Sequence, residues 1–224
     1  MEQWRGYPVR CEEVPVGGRT YALLVPADSE ALLSDPRVEA RFARDEYLPY
    51  WALLWPGALL LADMVAEWDR PPPGSEPPTV LELGCGVGLV GLVALDRGCR
   101  VVLSDYDEDA LAFAQENARR NGLPVPATRH VDWRQTYPDL CVDRILAADV
   151  LYEARNLAPV AEFIRRHLRS DGFALLSDAN RSTADPFAQV AAERGLSVTV
   201  TPVERPAAAG GTPIRSRVYH VRRQ

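Results

Sequence analysis

Apolar residues along this chain come in short runs whose period changes from extended to helical and back, and that alternation predicts most of the elements. From Val9 to Val25 two extended runs flank Val16-Gly17-Gly18-Arg19, where the paired glycines predict a hairpin. A helix is predicted from Ser29 to Ala43, after an aspartate-and-serine start, and a second over Gly57 to Trp68, mostly buried, with a proline near its first turn. Pro71 to Pro78 reads as a connector, because its prolines can join neither a helix nor a central strand.

From Thr79 onward short apolar runs alternate with helical patterns, as in βαβ units around a parallel sheet. Strands are expected at Val80 to Leu83, Val101 to Ser104, Ala127 to Val131, Ile145 to Val150 and Phe173 to Ser177. Helices are expected near Leu89 to Asp96, Glu108 to Asn121, Ala158 to Leu168 and Ala184 to Arg194. The last two β-rich runs, Ser197 to Val203 and Arg217 to Val221, leave no room for a crossover helix and so must pair antiparallel. The fold expected is α/β: a Rossmann-like, doubly wound sheet of seven strands, mostly parallel with an antiparallel C-terminal strand. Residues 1-70 would form a hairpin-and-helix extension over the active site, 71-78 a connector and 79-224 the core, all within one structural domain.

Composition narrows the chemistry. The 224 residues carry a formal net charge of -6 with no basic run, which argues against a nucleic-acid partner. No apolar stretch reaches the roughly 18 residues of a membrane span, and Met1 to Arg10 lacks a signal-peptide layout, so a cytoplasmic protein without a membrane partner is expected. All 25 basic residues are arginine, which rules out Schiff-base chemistry and a P-loop lysine. Cys11, Cys85, Cys99 and Cys141 have no metal-ligand spacing and are read as reduced, mostly buried thiols; no metal is expected. His130, His167 and His220 are scattered, read as surface or strand residues, and make hydrolase chemistry a poor fit. The basic tail Arg217 to Arg223 is read as protection of an edge strand.

The strongest signal is Val80-Leu-Glu-Leu-Gly-Cys-Gly-Val-Gly-Leu-Val-Gly91, an apolar strand running into glycines that open a helix. Gly86-x-Gly88-x-x-Gly91 would also fit a dinucleotide enzyme, but Glu82 inside the strand suits a ligand ammonium and would repel a pyrophosphate. Asp105 lies about 20 residues further on, where a carboxylate accepts from ribose hydroxyls. Asp132 with Trp133 offers an acceptor beside an aromatic face, which suits an adenine. Asp149 stands at the end of the fourth strand, so four acids fall in register with the strand ends, where open α/β sheets bind ligands. Each could instead cap a turn or helix, and Glu82 could serve the amides of its own loop.

On these residues the chain resembles the class I, seven-stranded S-adenosylmethionine-dependent methyltransferases from Trp51 to Val221. Within that class it is similar to the protein-lysine branch that includes the enzyme acting on the electron-transfer flavoprotein β subunit. The cues are Trp51 with Trp55-Pro56, Leu83-Gly-Cys-Gly-Val-Gly-Leu89, Ser104-Asp105, Asp132-Trp133 and Asp149-Val-Leu-Tyr152. The resemblance implies S-adenosyl-L-methionine as cofactor, held by Glu82, Gly84 and Gly86 at its methionine end, with Cys85 and Gly88 also among the cofactor-binding residues. Asp105 would serve the ribose and Asp132 and Trp133 the adenine, with Trp55 lining the cofactor cleft and Asp149 to Tyr152 shaping the acceptor channel. Tyr106, Ala148 and Asp149 are also counted as cofactor-binding. Asp149 and then Tyr152 are the candidates to orient the acceptor and take its proton. The absence of Asn-Pro-Pro-Tyr after the fourth strand removes the amino-methylating DNA and glutamine enzymes from consideration. A protein substrate, modified at lysine by a monomeric enzyme, is the leading expectation. A small-molecule acceptor is the alternative, and a non-catalytic cofactor-binding module comes last.

Overall fold

A computed structural model describes residues 2–28, 32, 38, 48–206 and 212–224. The helix expected from Ser29 to Ala43 falls outside the described residues but for two isolated positions. The N-terminal hairpin forms as β2 (Tyr7–Val16) and β3 (Arg19–Pro26), and a strand the sequence did not suggest, β1 (Glu2–Trp4), extends it to a separate three-stranded antiparallel sheet. Gly17 and Gly18 supply the positive φ values its turn requires.

The core alternates β4 (Thr79–Leu83), α2 (Leu89–Asp96), β5 (Arg100–Asp105), α3 (Glu108–Arg120), β6 (Ala127–His130), β7 (Val142–Ala148), α4 (Ala154–His167), β8 (Leu168–Asp178), α5 (Phe187–Ala192), β9 (Leu196–Arg205) and β10 (Ile214–Arg223). Ahead of it, α1 (Pro56–Ala66) begins with proline in the first turn, where its missing N–H costs nothing. The strands form one sheet in the order β6-β5-β4-β7-β8-β10-β9, parallel except for β10. Alternate residues of β4 and β7 feed opposite faces: Val80 and Leu146 pack under α1 and α2, while Leu81, Leu83, Ile145 and Ala147 pack under α4 and α5. Strand order reverses between β4 and β7, and a crevice opens there beyond their carboxyl ends.

Several expectations need correction. α4 begins at Ala154, four residues before the expected start, and contains Pro159 in its second turn. The helix expected at Ala184 to Arg194 is a 3₁₀ turn (Ser182–Ala184) and then α5, interrupted where Pro186 cannot donate a backbone bond. β10 is not an edge: it lies between β8 and β9, so Arg217 to Arg223 cannot serve as edge protection. His167 is buried on α4, with Nδ1 2.9 Å from the Leu140 carbonyl oxygen, and is neither a surface nor a strand residue. Only Cys85 and Cys99 are buried thiols; Cys11 and Cys141 are exposed. Among the described residues no helix is long and apolar enough to cross a membrane.

Candidate active site

The turn after β4 carries Gly84, Gly86 and Gly88 at φ +68°, +52° and +90°, a left-handed path that L side chains rarely take. A Cβ on Gly86 would stand 3.1 Å from the Trp51 carbonyl oxygen, and one on Gly88 would stand 2.7 Å from the Ala114 Cβ. The loop is thereby packed closely between Trp51 and Ala114. Glu82 is buried one strand residue before its end, and its Oε2 accepts from the Gly91 N–H at 2.8 Å. It therefore serves an amide in the first turn of α2, as its alternative reading foresaw, while also forming part of the cavity wall. Burial pushes its carboxyl up to about 8; the Gly91 amide opposes that shift and Asp105 adds to it.

Asp105 ends β5. Its Oδ2 accepts from the Gly86 N–H at 2.9 Å and its Oδ1 from the Asp107 N–H at 3.0 Å, so one carboxylate shapes both the glycine loop and the turn into α3. Burial raises it to about 6 against the pull of those amides. Cys85 is buried between the two acids, and burial, then Asp105 and Glu82, keep its thiol well above the usual range. Asp132 lies two residues beyond β6 and accepts from the Arg134 Nε at 2.8 Å and the Arg134 N–H at 2.9 Å. Burial works against its charge, yet the Arg134 bonds prevail and hold the carboxyl below its ordinary value.

All these groups meet in one cavity of about 520 Å³, a size that suits a nucleoside-like ligand with room beside it. Every residue named from the sequence lines it except Gly88, which instead caps the N-terminus of α2. Glu82, Gly84, Gly86, Asp105 and Trp133 share the cavity wall with an aromatic group in which Tyr50 meets Trp55 and Tyr152 edge-on, at ring-centre distances of 5.7 and 5.4 Å. The Trp55 Nε1–H donates to the Tyr50 carbonyl oxygen at 2.8 Å, which fixes the indole. Burial, then the charge of Glu153, pushes the Tyr152 phenol up to about 12, so at neutral pH it is a hydrogen-bonding hydroxyl and not a base.

Asp149 sits at φ +55° just past β7, and its side chain is only 3% exposed. Its Oδ2 accepts from the Gly57 N–H at 2.7 Å; its Oδ1 accepts from the Arg181 guanidinium at 2.5 Å and the Ala179 N–H at 3.3 Å. Thus the carboxylate expected to work on an acceptor also caps α1 across the sheet. Arg181, Tyr50 and Asn156 line the same cavity and were missed. Tyr50 lies in the apolar segment that leads into α1, where no motif distinguishes it. Arg181 follows Asp178, another strand-end acid, and that register was the one available signal.

A glycine loop at the switch point of a seven-stranded sheet, with carboxylates ending successive strands, defines a Rossmann-like methyltransferase. A family model described as lysine methyltransferase matches residues 51–190, and the chain belongs to that family. Class I enzymes of this kind use S-adenosylmethionine as methyl donor. Similar proteins include the histone-arginine methyltransferase METTL23 of Mus musculus, 30% identical over 61% of this chain and 53% of its own. The electron transfer flavoprotein beta subunit lysine methyltransferase of Xenopus laevis is 30% identical over 60% and 54%. This chain thus spans about half the length of those relatives. Among solved structures, a TehB-like SAM-dependent methyltransferase from Corynebacterium glutamicum aligns with TM-score 0.56 and 20% identity over 89% of this chain and all of that one. Precorrin-6y C5,15-methyltransferase from Geobacter metallireducens aligns with TM-score 0.59 and 14% identity over 88% and 94%. Those two likenesses concern the fold alone.

Proposed function

We propose that this protein transfers a methyl group from S-adenosylmethionine to a nitrogen of another protein, a lysine side chain foremost. The observation that carries the reading is the cavity itself. Its wall combines the glycine loop, Glu82 and Asp105 with the aromatic side chains of Tyr50, Trp55 and Tyr152. The residues present fit the cofactor: Glu82, Gly84, Gly86, Asp105, Asp132 and Trp133 all line the cavity, and at Gly84 and Gly86 a side chain would crowd Val150 and the Trp51 carbonyl, so the loop can pass there only as glycine. Glu82 and the loop would hold its methionine end, Asp105 and Tyr106 its ribose, and Asp132 with Trp133 its adenine. When bound, it supplies a methyl carbon whose bond to sulfur breaks as the lone pair of the acceptor nitrogen forms the new carbon–nitrogen bond.

The protein's part is alignment and exclusion of water. An amine must be neutral to attack, and walls such as Tyr50, Trp55 and Tyr152 desolvate an ammonium and so favour its neutral form. The Tyr152 hydroxyl orients the nitrogen, and the remaining proton leaves to solvent through the open side. We read the enzyme as a monomer. Four thiols without a disulfide support a reducing, cytoplasmic setting.

The test is incubation of purified protein with radiolabelled S-adenosylmethionine and an extract of its own source. Because the chain has no lysine, label on lysine cannot come from its own side chains. The expected result is label in a discrete protein band, mapped to lysine by mass spectrometry. Label on arginine or histidine would replace the acceptor residue, label confined to small molecules would make this a metabolite enzyme, and no label would leave a binding module.

A further inference from the structure

We propose that Arg181 is a positioning residue for the methyl-acceptor end of the cavity, acting through Asp149. The inference rests on the methyltransferase reading, but its geometry stands by itself. Arg181 is built into place: its backbone N–H donates to the Asp178 Oδ1 at 2.8 Å, and its Nη1 reaches the Asp178 Oδ2 at 3.1 Å. Asp178 is fully buried at the end of β8. Arg217 on β10 backs the pair, donating to the Arg181 carbonyl oxygen at 2.7 Å and lying 3.5 Å from the Asp178 Oδ1. From that base the guanidinium reaches the Asp149 Oδ1 and lies 5.6 Å from the centre of the Trp55 ring.

Asp149 therefore joins three parts of the cavity wall: the end of β7, the loop after β8 and the first turn of α1. A carboxylate offers about four acceptor positions. Arg181, Ala179 and Gly57 take three, leaving one for the acceptor's N–H. Without Arg181 the carboxylate loses its charged partner and can rotate, which releases Gly57 and shifts Trp55. A displacement near 1 Å at the reacting groups costs about 100-fold in rate. Glu82 and Asp105, which bond to the amides of Gly91, Gly86 and Asp107, share none of these bonds.

The test compares the full-length protein with Arg181→Met and Arg181→Lys by three measurements. These are S-adenosylhomocysteine affinity by calorimetry, label transfer from S-adenosylmethionine in the extract assay, and hydrogen exchange of the Gly57 amide. In Arg181→Met we expect affinity within about 3-fold of wild type, kcat lower by about 10- to 100-fold with KM for the cofactor kept, and faster Gly57 exchange at similar Tm. Arg181→Lys, which restores a charge but not the planar fork, should recover part of the rate. Wild-type transfer by Arg181→Met, loss of cofactor affinity in step with transfer, or unchanged Gly57 exchange would each overturn the proposal. If the wild type labels a small molecule, the acceptor assignment falls while the Arg181 comparison still reads. If it labels nothing, Gly57 exchange decides.

Discussion

Glu82 and Asp105 illustrate how one side chain meets a local and a functional demand. Each carboxylate satisfies backbone N–H groups that the glycine loop and the neighbouring turn leave unpaired, and each is raised by burial, to about 8 and about 6. A carboxyl raised in the fold binds more protons folded than unfolded, so its ionisation costs stability as pH rises through that window. These two carboxyls should therefore lower Tm as pH rises from about 5 to 8, against the opposite contribution of His167 and His220, whose values burial lowers. The reading is thus the difference between thermal melts of wild type and a Glu82 variant across buffers. Glu82→Gln, which keeps an acceptor for the Gly91 amide, should flatten the upper part of that slope. A cationic ligand beside Glu82 favours its charged form, so S-adenosylmethionine should bind more tightly at pH 8 than at pH 6, and the variant should lose that trend.

At the scale of elements, the joint between α1 and the sheet matters most. Gly57 approaches so closely that a Cβ there would overlap the Asp149 carboxylate and stand 2.9 Å from the Ser177 Oγ. The Ser177 hydroxyl donates in turn to the Gly57 carbonyl oxygen at 2.8 Å. Gly57→Ala must push α1 away from the sheet, at a cost of about 1–3 kcal/mol for overpacking. Urea unfolding should register that loss, and methyl transfer should fall further than S-adenosylhomocysteine affinity. A glycine inside a helix start is ordinary in sequence, so this contact was invisible until β7, β8 and α1 were seen together.

Across the whole molecule, Asn117 ties the N-terminal sheet to the core. Fully buried on α3, it accepts from the Leu24 N–H at 2.6 Å and donates to the carbonyl oxygens of Leu24 at 3.1 Å and Val87 at 2.9 Å. One amide thus pairs β3 with the glycine loop. Asn117→Leu would strand three buried backbone groups, each worth about 1–3 kcal/mol unpaired. We expect about 3 kcal/mol less stability by urea titration, with the largest rise in hydrogen exchange in β3 and residues 84–88.

Local pattern carried a good deal of this. The doubly wound core, the hairpin, the antiparallel final pair and the family follow from the sequence, because strand alternation, turn glycines and a strand-to-helix glycine loop are set by neighbours in the chain. The strand-end acids were legible for the same reason: the carboxyl end of a parallel strand is a position countable from its apolar run. What tertiary structure alone decided is how those acids are used. Whether Asp149 faces only a ligand, or also caps α1 and pairs with Arg181, depends on groups 92 and 32 residues away along the chain. The place of β10 inside the sheet likewise depends on which strand β8 accepts as its neighbour. Such contacts come from the packing of whole elements, and no local period records them.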